Sequence, residues 1–283
     1  MNTERIQKAL ARQGLGSRRQ IESWISEGKI MLNGETATVG AAVKAGDTVM
    51  FNGRRVIIKE QATSLPKVIA YHKPVGEVCS RNDPEGRTTI YENLPQLKQS
   101  RWISIGRLDL NTAGLLLLTD NGELANRLMH PSHQIAREYA VRTLGRASAD
   151  AIKQLTHGVQ LEDGKARFEE VVDTDPDAQA VNHWYHVVLM EGKNREVRRM
   201  WEAVGLQVSR LMRVRYGNII LPKNHRAGRV KEVPDKKIIE LAALVGLEFE
   251  IDESKVESNF KTSRANRAQK SHKNNQSHKR RSR

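Results

Sequence analysis

One carboxylate in this chain stands where chemistry could use it. Asp109 lies in the run Gly106-Arg107-Leu108-Asp109-Leu110-Asn111-Thr112-Ala113-Gly114-Leu115-Leu116-Leu117-Leu118, a Gly-bounded loop that leads straight into an apolar segment with the length of a buried strand. A lone acid at the mouth of a core strand suits a reaction that uses one carboxylate and no metal. An Asx-turn cap formed with Asn111 and Thr112 is the competing reading of the same residue. Two other segments carry groups able to join it. In Arg137-Glu138-Tyr139-Ala140-Val141, Tyr139 alternates with Ala and Val, which allows its ring to face a sheet core. In Glu191-Gly192-Lys193-Asn194-Arg195-Glu196-Val197-Arg198-Arg199-Met200-Trp201, the residues Val197, Met200, Trp201 and Val204 form a helical stripe that Gly205 ends. Arg198 lies about 100° round the helix from Val197, at the border of that stripe. Arg195 and Arg199 lie further toward solvent, so Arg198 is the guanidinium that can reach inward.

Other chemistries find little support. Cys79 is the one cysteine, so no disulfide forms within the chain and no Cys-x-x-Cys offers a zinc site. His130/His133 and His183/His186 have ligand-like spacing. The first pair surrounds Pro131 and the second sits in an alternating strand, so capping or surface roles suit them better. There is no Walker A loop and no Gly-x-Gly-x-x-Gly after a strand, which argues against nucleotide chemistry. No metal and no cofactor is expected.

Periodicity places these residues on elements. Thr3 is expected to cap a first helix with Ile6, Ala9 and Leu10 on one face, ended at Gly14 and Gly16. Ser17 and Gln20 have capping-box spacing for a second helix, with Ile21, Trp24 and Ile25 turned inward. Arg18 and Arg19 fall in its first turn, where they oppose the helix dipole and an anion would relieve them. Short strands are expected at 30–32, 48–51 and 55–58, with Asn33-Gly34 as a hairpin turn. After a linker at 61–66, strands are expected at 68–71, 115–118, 138–142, 184–190 and 208–214. Asp120 and Glu123 frame the start of a helix with Leu124, Leu128 and Met129 inside, stopped by His130-Pro131. Strand runs interrupted by single helices, without βαβ spacing, suggest an α+β body with a mainly antiparallel sheet. Arg213 and Arg215 alternate with Met212 and Val214 and are expected to share one strand face.

The charge is unevenly spread. The 283 residues carry a formal +14 at a pI near 10.0, so a polyanion is the expected partner. Residues 1–60 hold +4, residues 254–283 hold +9, and the stretch between them holds only +1. The last 30 residues are mostly Lys, Arg, Ser, Asn and Gln with a single Phe, and are expected to be disordered when free. The organisation expected is a head at 1–60, a linker at 61–66, a body at 67–252 and a tail at 253–283. No stretch reaches the ~20 apolar residues of a membrane span, and no targeting pattern opens the chain. A soluble, cytoplasmic monomer is the default expectation.

Two resemblances add to this reading. The head, with Ser17-Arg18-Arg19, Gly28-Lys29, Asn33-Gly34 and Gly46-Asp47, resembles the S-four-like RNA-binding domain. The loop around Asp109, together with the segments at Tyr139 and Arg198, resembles the pseudouridine synthases of the branch that acts on ribosomal RNA. That resemblance implies Asp109 as the catalytic aspartate, Tyr139 as the ring that packs on the target uracil, and Arg198 as the basic partner of the aspartate. It implies Leu211 as a leucine packed against the site, although a plain core leucine describes it equally well. Lys73-Pro74 and Gly76 match a family segment and read as structural or RNA-facing. Arg18, Arg19, Lys29, Arg107, Arg195, Arg199, Arg213 and Arg215 are the expected RNA contacts. Many relatives carry His-Gln where this chain has Arg195-Glu196. That form, with 81–87 and 122–131, resembles members acting on 23S rRNA and implies uridine 2605 as target and 23S rRNA or a large-subunit assembly particle as partner. Two alternatives remain open, a non-catalytic rRNA-binding assembly factor and a base-removing glycosylase.

Overall fold

The computed structural model describes residues 3–60, 64–97, 100–174 and 180–249. The expected tail at 253–283 lies outside the described residues, as does part of the expected linker. In the head, β1 (Glu4–Arg5) leads into α1 (Ile6–Arg12) and α2 (Arg18–Ser26). β2 (Ile30–Leu32), β3 (Glu35–Thr36), β4 (Ala42–Val43), β5 (Thr48–Phe51) and β6 (Arg54–Ile57) follow. Thr3 does not cap the first helix. Glu4 and Arg5 instead pair with Val43 and Ala42, which keeps the chain extended up to Arg5, the residue preceding the helix. Ser17 does cap α2, its Oγ accepting from the Gln20 N–H at 3.1 Å. Asn33 and Gly34 both have positive φ (50° and 95°), the turn geometry that joins β2 to β3 without splaying them. Ile6, Leu10, Ile21, Ile30 and Val49 are fully buried in a hydrophobic cluster of their own.

The body opens with β7 (Val68–Lys73), β8 (Ile103–Ile105), β9 (Ala113–Thr119) and α3 (Gly122–Met129). β10 (Arg137–Leu144), α4 (Ala149–His157), β11 (Val159–Leu161), β12 (Gly164–Ala166) and β13 (Glu170–Asp173) come next. β14 (Asn182–Leu189), α5 (Glu196–Ala203), β15 (Gln207–Tyr216), β16 (Ile219–Ile220), β17 (Val230–Glu232) and α6 (Asp235–Ala243) complete it. Asn121, not Asp120, caps α3, its Oδ1 accepting from Glu123 and Leu124. Asp120 is used one strand away, accepting from the Lys67 N–H. Met129, expected inside, is 38 % exposed at the last turn.

The fold is α+β around one mainly antiparallel sheet in the order β13-β14-β10-β15-β9-β7-β17, with β16 on β15 and β8 on β9. β14 alternates half-buried and buried residues along its whole length, the signature of a strand covered on one face. Leu115 to Leu118 are all fully buried, as a central strand covered on both faces requires. β9 pairs in parallel with β15 at only two registers, Ala113 with Met212 and Gly114 with Arg213. Further along, β8 takes that same edge of β9. The sheet therefore parts just beyond the first residues of β9, next to the loop that carries Asp109. Gly114 makes the short parallel contact feasible. Its φ is +106°, and a Cβ there would lie 2.2 Å from the Arg213 carbonyl oxygen.

Candidate active site

The Asp109 loop is held by its backbone. Five consecutive carbonyls, from Leu108 to Thr112, each accept a hydrogen bond from outside the strand that follows. The Cys79 thiol donates to the Leu108 oxygen at 3.3 Å. The Lys73 ammonium donates to the Asp109 oxygen at 3.1 Å and to the Thr112 oxygen at 2.9 Å. The Gly76 N–H donates to the Leu110 oxygen at 2.9 Å. Arg198 Nη2 donates to the Asn111 oxygen at 2.9 Å. The Thr112 N–H closes the turn onto the Asp109 oxygen at 3.0 Å. Three separate parts of the chain, the end of β7, the segment after it and α5, thus fix one short loop. Among the described residues no hydrogen bond reaches the Asp109 carboxylate, so the Asx-turn reading is not realised and the half-buried acid is uncommitted.

Two cations stand beside that acid. Lys73 is fully buried, and its third donor goes to the Pro74 oxygen at 2.9 Å. Burial holds its ammonium below the ordinary lysine range, against the opposing pull of Cys79, Glu77 and Asp109. Arg198 is 8 % exposed and also donates through Nη1 to the Val208 oxygen at 2.9 Å. Burial, then the neighbouring Arg195 charge, lowers its basicity, and Asp109 acts in the other direction. The expected pairing of Arg198 with the aspartate takes a different form. The guanidinium reaches inward as its place on the helix requires, but it grips the loop at Asn111, and no ion pair within 4.0 Å joins it to Asp109 among the described residues. Its hydrogen bonds set where that carboxylate sits.

Tyr139 and Leu211 lie in the body's core, 8 % and 6 % exposed. A β-bulge in the pairing of β10 with β15 falls between Glu138 and Tyr139, so Tyr139 opposes Arg213 while Glu138 opposes Arg215. The extra residue, Val214, puts Arg213 and Arg215 on opposite faces, which corrects the expectation that they share one. Arg213 is 2 % exposed, donates through Nε to the Leu115 oxygen at 2.8 Å and lies over the Tyr216 ring. It is a buried neighbour of Tyr139 and not a surface RNA contact. Arg215 pairs through Nε with Glu138 at 2.8 Å, and Glu138 also meets His186 Nδ1 at 2.7 Å. Arg199 is likewise committed, to both Asp163 oxygens at 2.9 and 2.8 Å. Arg18, Arg19, Arg107 and Arg195 are exposed, and Lys29 is exposed beside Glu27. Lys73 is the residue whose part the sequence understated. Its signals were the strand end at Lys-Pro and the family segment that this matches, and what it binds is backbone, which leaves no trace in side-chain patterning.

The family model for RNA pseudouridylate synthase matches residues 67–203, a span that includes Asp109, Tyr139 and Arg198, and the S4 domain model matches residues 4–49. A protein of Yersinia pestis named ribosomal large subunit pseudouridine synthase B is 51% identical over 87% of this chain and 78% of its own length. The chain belongs to the RNA pseudouridylate synthase family. A protein of the same name from Escherichia coli K12 is 52% identical over 78% of this chain and 76% of its own length. The Pseudomonas aeruginosa counterpart is 51% identical over 86% of this chain, and the match spans 63% of that longer protein. A solved pseudouridylate synthase shares the fold, with a TM-score of 0.59 at 24% identity over 84% of this chain and 99% of that one.

Proposed function

We propose that this family member isomerises uridine to pseudouridine in large-subunit ribosomal RNA, with Asp109 as the reacting carboxylate. The observation that carries the reading is the Asp109 loop. Its carbonyls are fixed from Leu108 to Thr112 while its carboxylate is left without a partner among the described residues. A preorganised, uncommitted acid beside two cations is what a one-carboxylate reaction needs. The reaction breaks the bond from C1′ of ribose to N1 of uracil and forms one from C1′ to C5. N1 gains a proton and C5 loses one, so no cofactor is consumed. The target uridine must leave its stack to reach the acid, and the Tyr139 ring provides an aromatic surface for the extruded base. The mapping of Tyr139, Arg198 and Leu211 onto site roles, and of Arg18, Arg19, Lys29, Arg107 and Arg195 onto RNA phosphates, belongs to this proposal.

The relatives' name refers to the large subunit, and the target we assign is uridine 2605 of 23S rRNA, as free rRNA or within an assembly particle. The head at 1–60 and the basic tail at 253–283 hold rRNA around the body at 67–252. The protein acts as a cytoplasmic monomer. Its single cysteine suits a reducing compartment, and no helix among the described residues is long and apolar enough to cross a membrane. The test is to incubate 23S rRNA with the protein, digest it to nucleosides, and map modified positions by carbodiimide-dependent primer-extension stops. Pseudouridine at 2605 without free uracil is the expected product. Free uracil with an abasic site would mean a glycosylase, and unchanged RNA that is still bound would mean an assembly factor.

A further inference from the structure

The carbonyls of Leu108, Asp109 and Leu110 are held by one stretch of chain that has just left the sheet. β7 ends at Lys73, and Pro74 has no N–H with which to continue the ladder. Lys73 serves the Asp109 oxygen, Gly76 the Leu110 oxygen and Cys79 the Leu108 oxygen. The Leu108 N–H also donates to the Cys79 sulfur at 3.4 Å, so that contact is made twice. Glu77 lies between Gly76 and Cys79 in the chain and is buried. A carboxylate taken out of water needs a donor to offset its desolvation. Its Oε2 accepts from the Tyr71 hydroxyl at 2.6 Å, a short bond of the strong, charge-assisted kind. Burial, then the hydrogen bond to Glu77, holds the Tyr71 phenol above its ordinary range, so it stays protonated and donates. Tyr71 is fully buried in the body's core, and its backbone lies between Leu116 of β9 and Val230 of β17. The pair thus ties the segment back to the rigid strand it came from. The tie falls at the residue between the two that grip the loop.

We propose that Tyr71 and Glu77 are positioning residues for the reaction at Asp109. Their buried hydrogen bond sets the segment whose Gly76 and Cys79 hold the carbonyls on either side of that aspartate. Neither side chain touches the reacting atoms. Each acts through backbone, so the pair governs the chemical step and leaves RNA affinity alone. This deepens the proposed function and rests on it, because Asp109 is taken as the reacting carboxylate.

The experiment combines turnover on 23S rRNA with the reactivity of Cys79, the one cysteine of the chain. Tyr71→Phe removes the donor, Glu77→Ala removes the acceptor, and Glu77→Gln keeps an acceptor oxygen. All are assayed well below their melting temperatures. Tyr71→Phe and Glu77→Ala should each lower kcat on the order of 10- to 100-fold, the cost of displacing a reacting group by a fraction of an ångström to one ångström. KM should stay near the parent's. Glu77→Gln should recover part of the kcat that Glu77→Ala loses. The double variant Tyr71→Phe/Glu77→Ala should be little worse than either single one, because both remove the same bond. Alkylation of Cys79 by iodoacetamide should be faster in Tyr71→Phe, as the loosened segment gives up the thiol's bond to Leu108. That variant leaves the Glu77 charge in place, so the faster reaction reports movement. Variants that melt lower but keep the parent's kcat would make the pair a stability feature only and overturn the proposal. Independent, additive losses would overturn the claim that the two act through one bond, and a parent-like alkylation rate would overturn the tie itself. A parent protein inactive on rRNA would count against the proposed function, and the alkylation rates would still decide whether the pair holds the segment.

Discussion

Asp109 owes its position to the bonds its neighbours make, and none of those bonds uses its own carboxylate. This predicts that residues contacting only backbone control the reaction. Lys73→Met keeps the length of the side chain and removes three donors, leaving the Pro74, Asp109 and Thr112 carbonyls without their ammonium. Unmet buried acceptors cost about 1–3 kcal/mol each, so the variant should melt several degrees lower and lose kcat, while its RNA affinity stays close to the parent's. Unchanged kcat in a folded Lys73→Met protein would refute the loop-clamp account. Arg198→Lys tests the other side of the loop. A compact ammonium cannot serve the Val208 and Asn111 carbonyls with one planar fork, so kcat should fall despite the retained charge. At this scale the sequence was informative about side chains that face a pattern. Arg198 was legible from its angle on a helix whose stripe was plain. Its target was not, because a backbone carbonyl has no residue type to read.

Among the elements, the strands and helices that carry the site were legible from periodicity, and the irregularities between them were not. The bulge at Val214 reverses a face assignment that strict alternation made for Arg213 and Arg215, since alternation has no means of marking an extra residue. Gly114 is the opposite case, a residue whose need is visible only once β15 lies against it. Gly114→Ala should destabilise by more than the ~1–2 kcal/mol of a left-handed alanine, because the added carbon meets the Arg213 backbone. Denaturant melts of the variant would check this, and parent-like stability would mean the β9–β15 contact is not this close. At the start of α5, burial raises the Glu196 carboxyl above the ordinary glutamate range, while the backbone N–H of Lys193 opposes the shift. Below that ordinary range the carboxyl is protonated both folded and unfolded. As pH rises through the higher folded value, the native state must carry a buried charge and stability is lost. Glu196→Gln keeps an oxygen for the Lys193 N–H and removes that charge. Its melting temperature relative to the parent should rise between pH 4 and pH 8, and a pH-independent difference would contradict the buried-charge explanation.

For the whole molecule, charge distribution is the guide. The excess of basic residues lies at the two ends of the chain, +4 in residues 1–60 and +9 in residues 254–283, around a body that is nearly neutral. Composition made that division legible. Removing residues 254–283 should weaken RNA binding and flatten its salt dependence, as expected when phosphate contacts that release counterions are lost. An unchanged salt slope would show that the tail makes no such contacts. The central claim, that this body performs uridine isomerisation at Asp109, is tested most directly by tritium release. A 23S rRNA transcript labelled with tritium at uracil C5 is incubated with the parent protein and with Asp109→Asn. Release by the parent alone, with RNA binding retained in the variant, is the predicted result. Equal release by the two proteins would contradict the assignment of the reaction to Asp109, and release by neither, on transcript and on precursor particles alike, would contradict the reaction itself.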